Sequence, residues 1–255
     1  MAPSTEPTAL LSHLHRTDGS ATFSQNGYTV IGAVNGPLEA GRREELPEEA
    51  VVDVIVRPAA GVAGTRERQL ESILQSTLRQ IILINNFPRS LIQVTLQITS
   101  TPENENAGSK LVQAASNLPI LPALLQTAIL ALLSASMPLT MTATSAFLAL
   151  TSDGSARSII TNPTIVQCES ADSVHVLAFT SHGDLLVAES EGSFSLQDWE
   201  TVFKAAKSIC CDDSKTNVDH SVMQDGELGD EKGGMMNFVK STLQTKITAD
   251  LHWKD

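Results

Sequence analysis

The chain has 255 residues and a net charge of −12, long enough to bury a proper core as one large domain or two small ones. That sign of charge is wrong for a protein that grips nucleic acid by itself. Cys168, Cys210 and Cys211 offer neither a disulfide framework nor a zinc spacing, as expected of a reducing compartment, and MAPSTEPTALL lacks the basic n-region and long apolar run of a secretory signal.

Residues 1–8 read as a polar, proline-bearing flexible arm. From Ala9 the pattern becomes strands joined by tight turns. Asp18-Gly19 and Asn26-Gly27 tolerate positive φ at central turn positions, and they frame Ala21–Gln25 and Tyr28–Val34 in a three-stranded meander. The first strand is expected to carry His13 and His15 on one face. Two alternating histidines could begin a metal site, but no third ligand follows nearby, so a structural role is the expectation and no metal is assigned. Gly36-Pro37 closes the meander, Ala40–Glu49 is a charged loop containing Arg42 and Arg43, and Val51–Val56 is a fourth strand.

The clearest stretch is Gly64–Ser100. Leu70, Ile73, Leu74, Leu78, Ile81 and Ile82 recur at three and four residues, the stripe of a helix lying on a core. Phe87-Pro88 ends it, because the residue before proline is pushed from the helical region. Ile92, Val94, Leu96 and Ile98 then alternate with Gln93, Thr95, Gln97 and Thr99, the period of a half-buried strand. Between Lys110 and Asp153 no charged residue occurs. Pro119, Pro122 and Pro138 break that run, so it predicts a buried helix near Pro122–Ser136 rather than a membrane span. Hairpins follow at Met141–Thr151/Ser155–Ile160 and Val174–Thr180/Leu185–Glu189. Ser195 and Asp198 form a capping box for a helix with Trp199, Val202, Phe203, Ala206 and Ile209 on its buried face. An acidic flexible linker is expected over 212–234. In 235–255, Met236, Val239, Leu243, Ile247 and Leu251 share one face of an amphipathic helix that either folds back or docks on a partner.

Taken together, LHRTDGSATFSQNGYTVIGAVNGPLEA resembles the opening hairpins of ribonuclease PH-type proteins, with their R-x-DGS-A and A-x-V-x-GP motifs. RERQLESILQSTLRQIIL with FPRSLIQVTLQI is similar to that family's first helix and following strand, and DLLVAESEGSFSLQDWETVFKAAKSI to its closing strand, turn and helix. The resemblance covers 9–211. It implies an α+β fold of the ribonuclease PH type (ribosomal protein S5 domain 2-like), mixed sheets packed with helices, here with a C-terminal extension. The similarity is strongest to the branch that builds the RNA exosome ring. It therefore implies six ribonuclease PH-like partners in a ring, S1/KH cap subunits, RNA in the channel and no cofactor. It also implies work in nucleus, nucleolus and cytoplasm on RNA processing, rRNA included.

Active members of the family use phosphate to cleave RNA from its 3′ end. They hold that anion with a Gly-Thr-Arg at the start of the second long helix, where free amides and the dipole help. Counted back from Met137-Pro138, the matching positions are Pro119, Ile120 and Leu121, none of which can hold phosphate by a side chain. The family's strand-head Asp falls at Ser173. Asp172 lies one residue away, but a one-residue slip turns a strand side chain to the other face. These replacements imply a non-catalytic ring subunit. An active phosphorolytic exoribonuclease and a monomeric binding module without an RNA role are the alternatives. Gly64-Thr65-Arg66 is in isolation a credible anion cradle on the wrong helix, with Glu67 on the same turn. Arg66 matches an arginine that active members use near the RNA backbone, and Arg68, Arg42 and Arg43 are weaker RNA candidates of that kind.

Overall fold

The computed structural model describes residues 6–102, 117–153, 156–211 and 234–251. Among these residues nine strands form two sheets. The first contains β1 (Thr8–Leu11), β2 (Gly19–Gln25), β3 (Tyr28–Glu39), β4 (Val51–Arg57) and β5 (Ser90–Ser100), in the order β1-β2-β3-β5-β4. The second contains β6 (Ala143–Asp153), β7 (Ala156–Thr161), β8 (Ser173–Thr180) and β9 (Leu185–Gly192), in the order β7-β6-β8-β9. β4 pairs parallel with β5, and the other pairs are antiparallel. A parallel pair needs a long crossover, and α1 (Thr65–Ile81) supplies it.

The meander expected at the start is extended and shifted. β1 ends at Leu11, so His13 and His15 sit in the loop beyond it rather than on a strand. Ser12 takes φ 54° and turns the chain there. His13 Nε2 is bonded to Thr22 Oγ1 at 3.1 Å, a structural contact. β3 runs on to Glu39 through an irregularity between Asn35 and Leu38, where Gly36-Pro37 is cis.

The α-helix α2 (Leu121–Ser134) follows a 3₁₀ turn at Leu118–Ile120 and is buried on nearly every side. Thr127 on one side lies against Gly32 of β3, while Pro122 accepts from the Ser145 hydroxyl of β6 on another. The helix is thus held between the two sheets, which explains a sequence apolar all round. At Gly19 a Cβ would lie 2.4 Å from the Ala135 nitrogen, so only glycine lets β2 approach the end of α2 this closely. No described helix is long and apolar enough to cross a membrane.

The short helix α3 (Ile165–Ser170), not anticipated from the sequence, follows β7, with Thr164 and Gln167 forming its capping box. α4 (Leu196–Cys210) packs on the far face of the second sheet through Val202, Ala206 and Cys210 against Leu177 and Phe179. The segment expected to be an acidic linker lies outside the described residues except for Gly234. α5 (Met235–Leu251) lies against β1, β6 and α4. Met236 and Val239 are buried, and the ring of Phe238 meets Phe23 edge-on with centroids 6.1 Å apart. Ile247 and Leu251, further along the same helix, are 56% and 41% exposed. Of the two fates expected for this stripe, its first half folds back.

Candidate functional site

Pro119 lies inside the 3₁₀ turn, Ile120 caps it into α2, and Leu121 opens the helix. The Leu121 N–H is bonded to the Leu118 carbonyl, and its side chain is 1% exposed in the main core. Ile120 is 9% exposed in the same cluster. The helix start that could receive an anion is therefore lined by packed hydrocarbon.

The 3₁₀ turn lies against β8, yet Ser173 does not face it. Along β8, Val174, Val176 and Ala178 join the core around α2, whereas Leu177 and Phe179 join the cluster under α4. Ser173 shares the α4 side with His175, to whose Nε2 its hydroxyl is bonded at 2.9 Å. The second ring nitrogen of His175 is bonded to Ser190 Oγ at 2.8 Å. The ring of Phe194 closes over the imidazole, centroids 4.8 Å apart at 76°. Burial pushes the His175 pKa below its usual value, with the Asp198 carboxylate pulling the other way. Asp172 precedes the first residue of β8 and is exposed. Its backbone is engaged on both sides, N–H to the Leu150 carbonyl at 2.9 Å and carbonyl from the Ser193 N–H at 3.1 Å.

Asp198 sits at the head of α4, where the Ser195 N–H donates to it at 2.9 Å and the Ser195 hydroxyl at 2.6 Å. Arg157 of β7 forms an ion pair with it. The Ser195 hydrogen bonds, then Arg157, hold its carboxyl down to about 2. The Ser195–Asp198 cap was expected from the sequence and is observed; its pairing with Arg157 and the His175 group were missed. Ser173-x-His175 was visible as a polar pair on one strand face, but Phe194, Ser190 and Arg157 come from elsewhere in the chain.

Arg66 occupies the first turn of α1, and its Nε donates to Asn117 Oδ1 at 2.5 Å, immediately before the 3₁₀ turn. Tyr28 lies close by; burial, the Cys168 thiol and, in the lowering sense, Arg66 set its hydroxyl to about 12. Glu67 accepts from the Gly64 N–H at 2.6 Å, filling the α1 start with a carboxylate. Arg42, Arg43 and Arg68 are exposed. The structure does not gather the four arginines into one patch with the 119–121 turn: Arg66 alone of them bonds to the residue at its entrance. Burial pushes the thiol of Cys168 to about 11 and that of Cys210 to about 12, so both stay protonated at neutral pH.

Residues 8–138 match the family model of ribonuclease PH, the 3′ exoribonuclease family, domain 1. The chain belongs to the ribonuclease PH family. The exosome complex component RRP46 of Saccharomyces cerevisiae is 34% identical over 203 residues, 77% of this chain and 86% of that protein. The Schizosaccharomyces pombe exosome complex component rrp46 is 42% identical over 85 residues, 33% of this chain and 38% of that one. The crystal structure of rice Rrp46 superposes with a TM-score of 0.66 at 26% identity, covering 80% of this chain and 89% of the rice chain. A ribonuclease PH fold of mixed sheets packed with helices is thus both observed and shared, and this chain adds the C-terminal helix α5.

Proposed function

We propose that this chain is a non-catalytic structural subunit of the RNA exosome ring, supporting 3′–5′ RNA processing and degradation through contacts with other subunits. The observation that carries the reading is the helix start at Pro119, Ile120 and Leu121. A phosphate nucleophile beside an RNA phosphodiester needs compensating positive charge, and this position offers a proline ring and buried hydrocarbon instead. Ser173 supports it, being turned to the α4 side and bonded to His175. The relatives named exosome complex components support membership of that complex. Its partners are then the other ribonuclease PH-like subunits of a six-membered ring and S1/KH cap subunits. Its locations are those of the complex, nucleus, nucleolus and cytoplasm. Arg66 is the leading side chain to meet RNA in the channel, with Arg68, Arg42 and Arg43 as weaker candidates.

The second reading, a phosphate-dependent exoribonuclease, is favoured by one observation: relatives in rice and Arabidopsis thaliana carry the name exosome complex exonuclease RRP46 homolog. Pure protein incubated with single-stranded RNA, inorganic phosphate and magnesium decides between them. The structural reading requires no release of nucleoside diphosphates. Release that is lost on Asp172→Asn would establish the second reading, with the exposed Asp172 as its acid.

A further inference from the structure

One face of the first sheet has no helix on it among the described residues. α1, α2 and α5 all pack on the side of Phe23, Val54 and Leu96. The opposite side is a set of cross-strand rows: Ile31 beside Gln97, Ala33 beside Thr95, and Thr95 in turn beside Ile55 of β4. At one corner His13 bonds to Thr22. Two charged side chains, Asp53 and Arg57 of β4, stand among the outward positions of β2, β3, β4 and β5, Arg57 closing the row of Ile31 and Gln97; Asp53 accepts a hydrogen bond from Gln93 at 3.4 Å. A solvated sheet face in a chain of net charge −12 would be expected to carry several charges. Depletion of charge is the compositional mark of a protein–protein interface core.

We infer that this face is a docking surface for a different protein chain: a charge-poor surface on a subunit of net positive charge. RNA is a poor occupant, because phosphate contacts require several cations and the face supplies one, Arg57, at its rim, against the carboxylate of Asp53. A second copy is disfavoured by long-range repulsion between two chains of −12. Area agrees. Four strands about 4.8 Å apart, with about seven residues each at about 3.3 Å, give a face of roughly 450 Å². That suits the core of one contact within a larger assembly, and is small for a stable self-standing dimer. The inference rests on the ring-subunit reading and assigns one surface to that role.

Thr95 lies at the centre of the face, so Thr95→Lys places a charge there without touching the core. The test is capture of the tagged full chain from its host, followed by native mass spectrometry. Wild type should emerge in a heteromeric complex, and Thr95→Lys should lower that yield tenfold or more while the pure variant keeps the wild-type Tm. Gln197→Lys, on the exposed start of α4, should leave the yield unchanged. If Thr95→Lys melts early, Ala33→Lys on the adjoining strand takes its place. A Thr95→Lys chain that enters the complex as wild type does would overturn the docking face while leaving the ring reading intact. A wild-type chain found in no complex would overturn both. A pure wild-type chain that is dimeric, with Thr95→Lys monomeric, would show the occupant to be a second copy and overturn the assignment.

Discussion

His175 is enclosed edge-on by Phe194, which follows the end of β9, while its two ring nitrogens are both taken by serine hydroxyls. A neutral imidazole satisfies this arrangement with one nitrogen donating and one accepting. The group therefore folds best without its charge.

The first prediction follows from the sign of that effect. The His175 pKa is lowered from 6.5 in the folded chain, so the unfolded chain takes its proton first as pH falls. Stability from this group is complete above pH 6.5 and declines progressively below it. Asp198, held to about 2 against 3.8, adds a second loss that begins only below pH 3.8. Urea midpoints measured from pH 7.5 to 5 should fall in the wild type, and His175→Gln should flatten that slope. An unchanged slope in the variant would contradict the assignment to His175.

Close approach of β2 to α2 gives the second. Gly19→Ala would place a methyl group 2.4 Å from the Ala135 nitrogen and 2.5 Å from the Ala131 carbonyl oxygen. Neither is the end of a flexible side chain, so the sheet must move from the helix, at a cost of about 3 kcal/mol. Gly41→Ala meets nothing within 4 Å and should be near neutral. Chemical denaturation of the two variants side by side checks the contrast.

The C-terminal helix gives the third. Val239→Ala, which opens space in the core, should destabilise the isolated chain by roughly 1–2 kcal/mol. Ile247→Ala, more than half exposed, should change stability by less than about 0.5 kcal/mol. Removing 235–255 should lower the Tm of the monomer, because it uncovers Phe23 and the neighbours of Met236. A truncated chain that melts as the full one does would mean that the helix contributes nothing to its own domain.

Arg66 separates two roles in the fourth. Its hydrogen bond to Asn117 ties the start of α1 to the entrance of α2, and Arg66→Ala should cost about 1 kcal/mol, at the low end for a charge-assisted bond because the group is partly exposed. Arg68→Ala lacks that contact and should be close to neutral. Titration of single-stranded RNA into the pure wild-type chain at physiological salt should show weak binding that falls steeply with added salt. Submicromolar affinity would contradict it.

The elements with a strong period were legible from the residues alone. α1 buries Leu70, Leu74, Leu78 and Ile81 from its stripe, β5 alternates as written, and Ser195 caps α4 with Asp198. Composition also gave α2 as a buried helix, because apolar residues all round leave no face for water. The histidines near the start were misplaced, since alternation over so short a segment cannot tell a strand from the loop that follows it. α3 escaped because none of its side chains is buried and a six-residue helix shows no period; Thr164 and Gln167, a capping pair, were its one signal. The orientation of Ser173 was out of reach. Which face of β8 meets α2 depends on how two distant segments pack, as does the meeting of Arg66 with a residue 51 positions away.

The position of α2 between the sheets also bears on synthesis. When the ribosome has made only the first five strands and α1, the apolar inner side of β2 and β3 still awaits its cover. α2 then arrives with a second apolar side that stays bare until β6 and β8 emerge. The nascent chain thus exposes greasy surface over more than half its length, a natural client for ribosome-bound chaperones. Ribosome-stalled chains ending after Ser134 should remain open to protease, and those reaching beyond Cys210 should resist it.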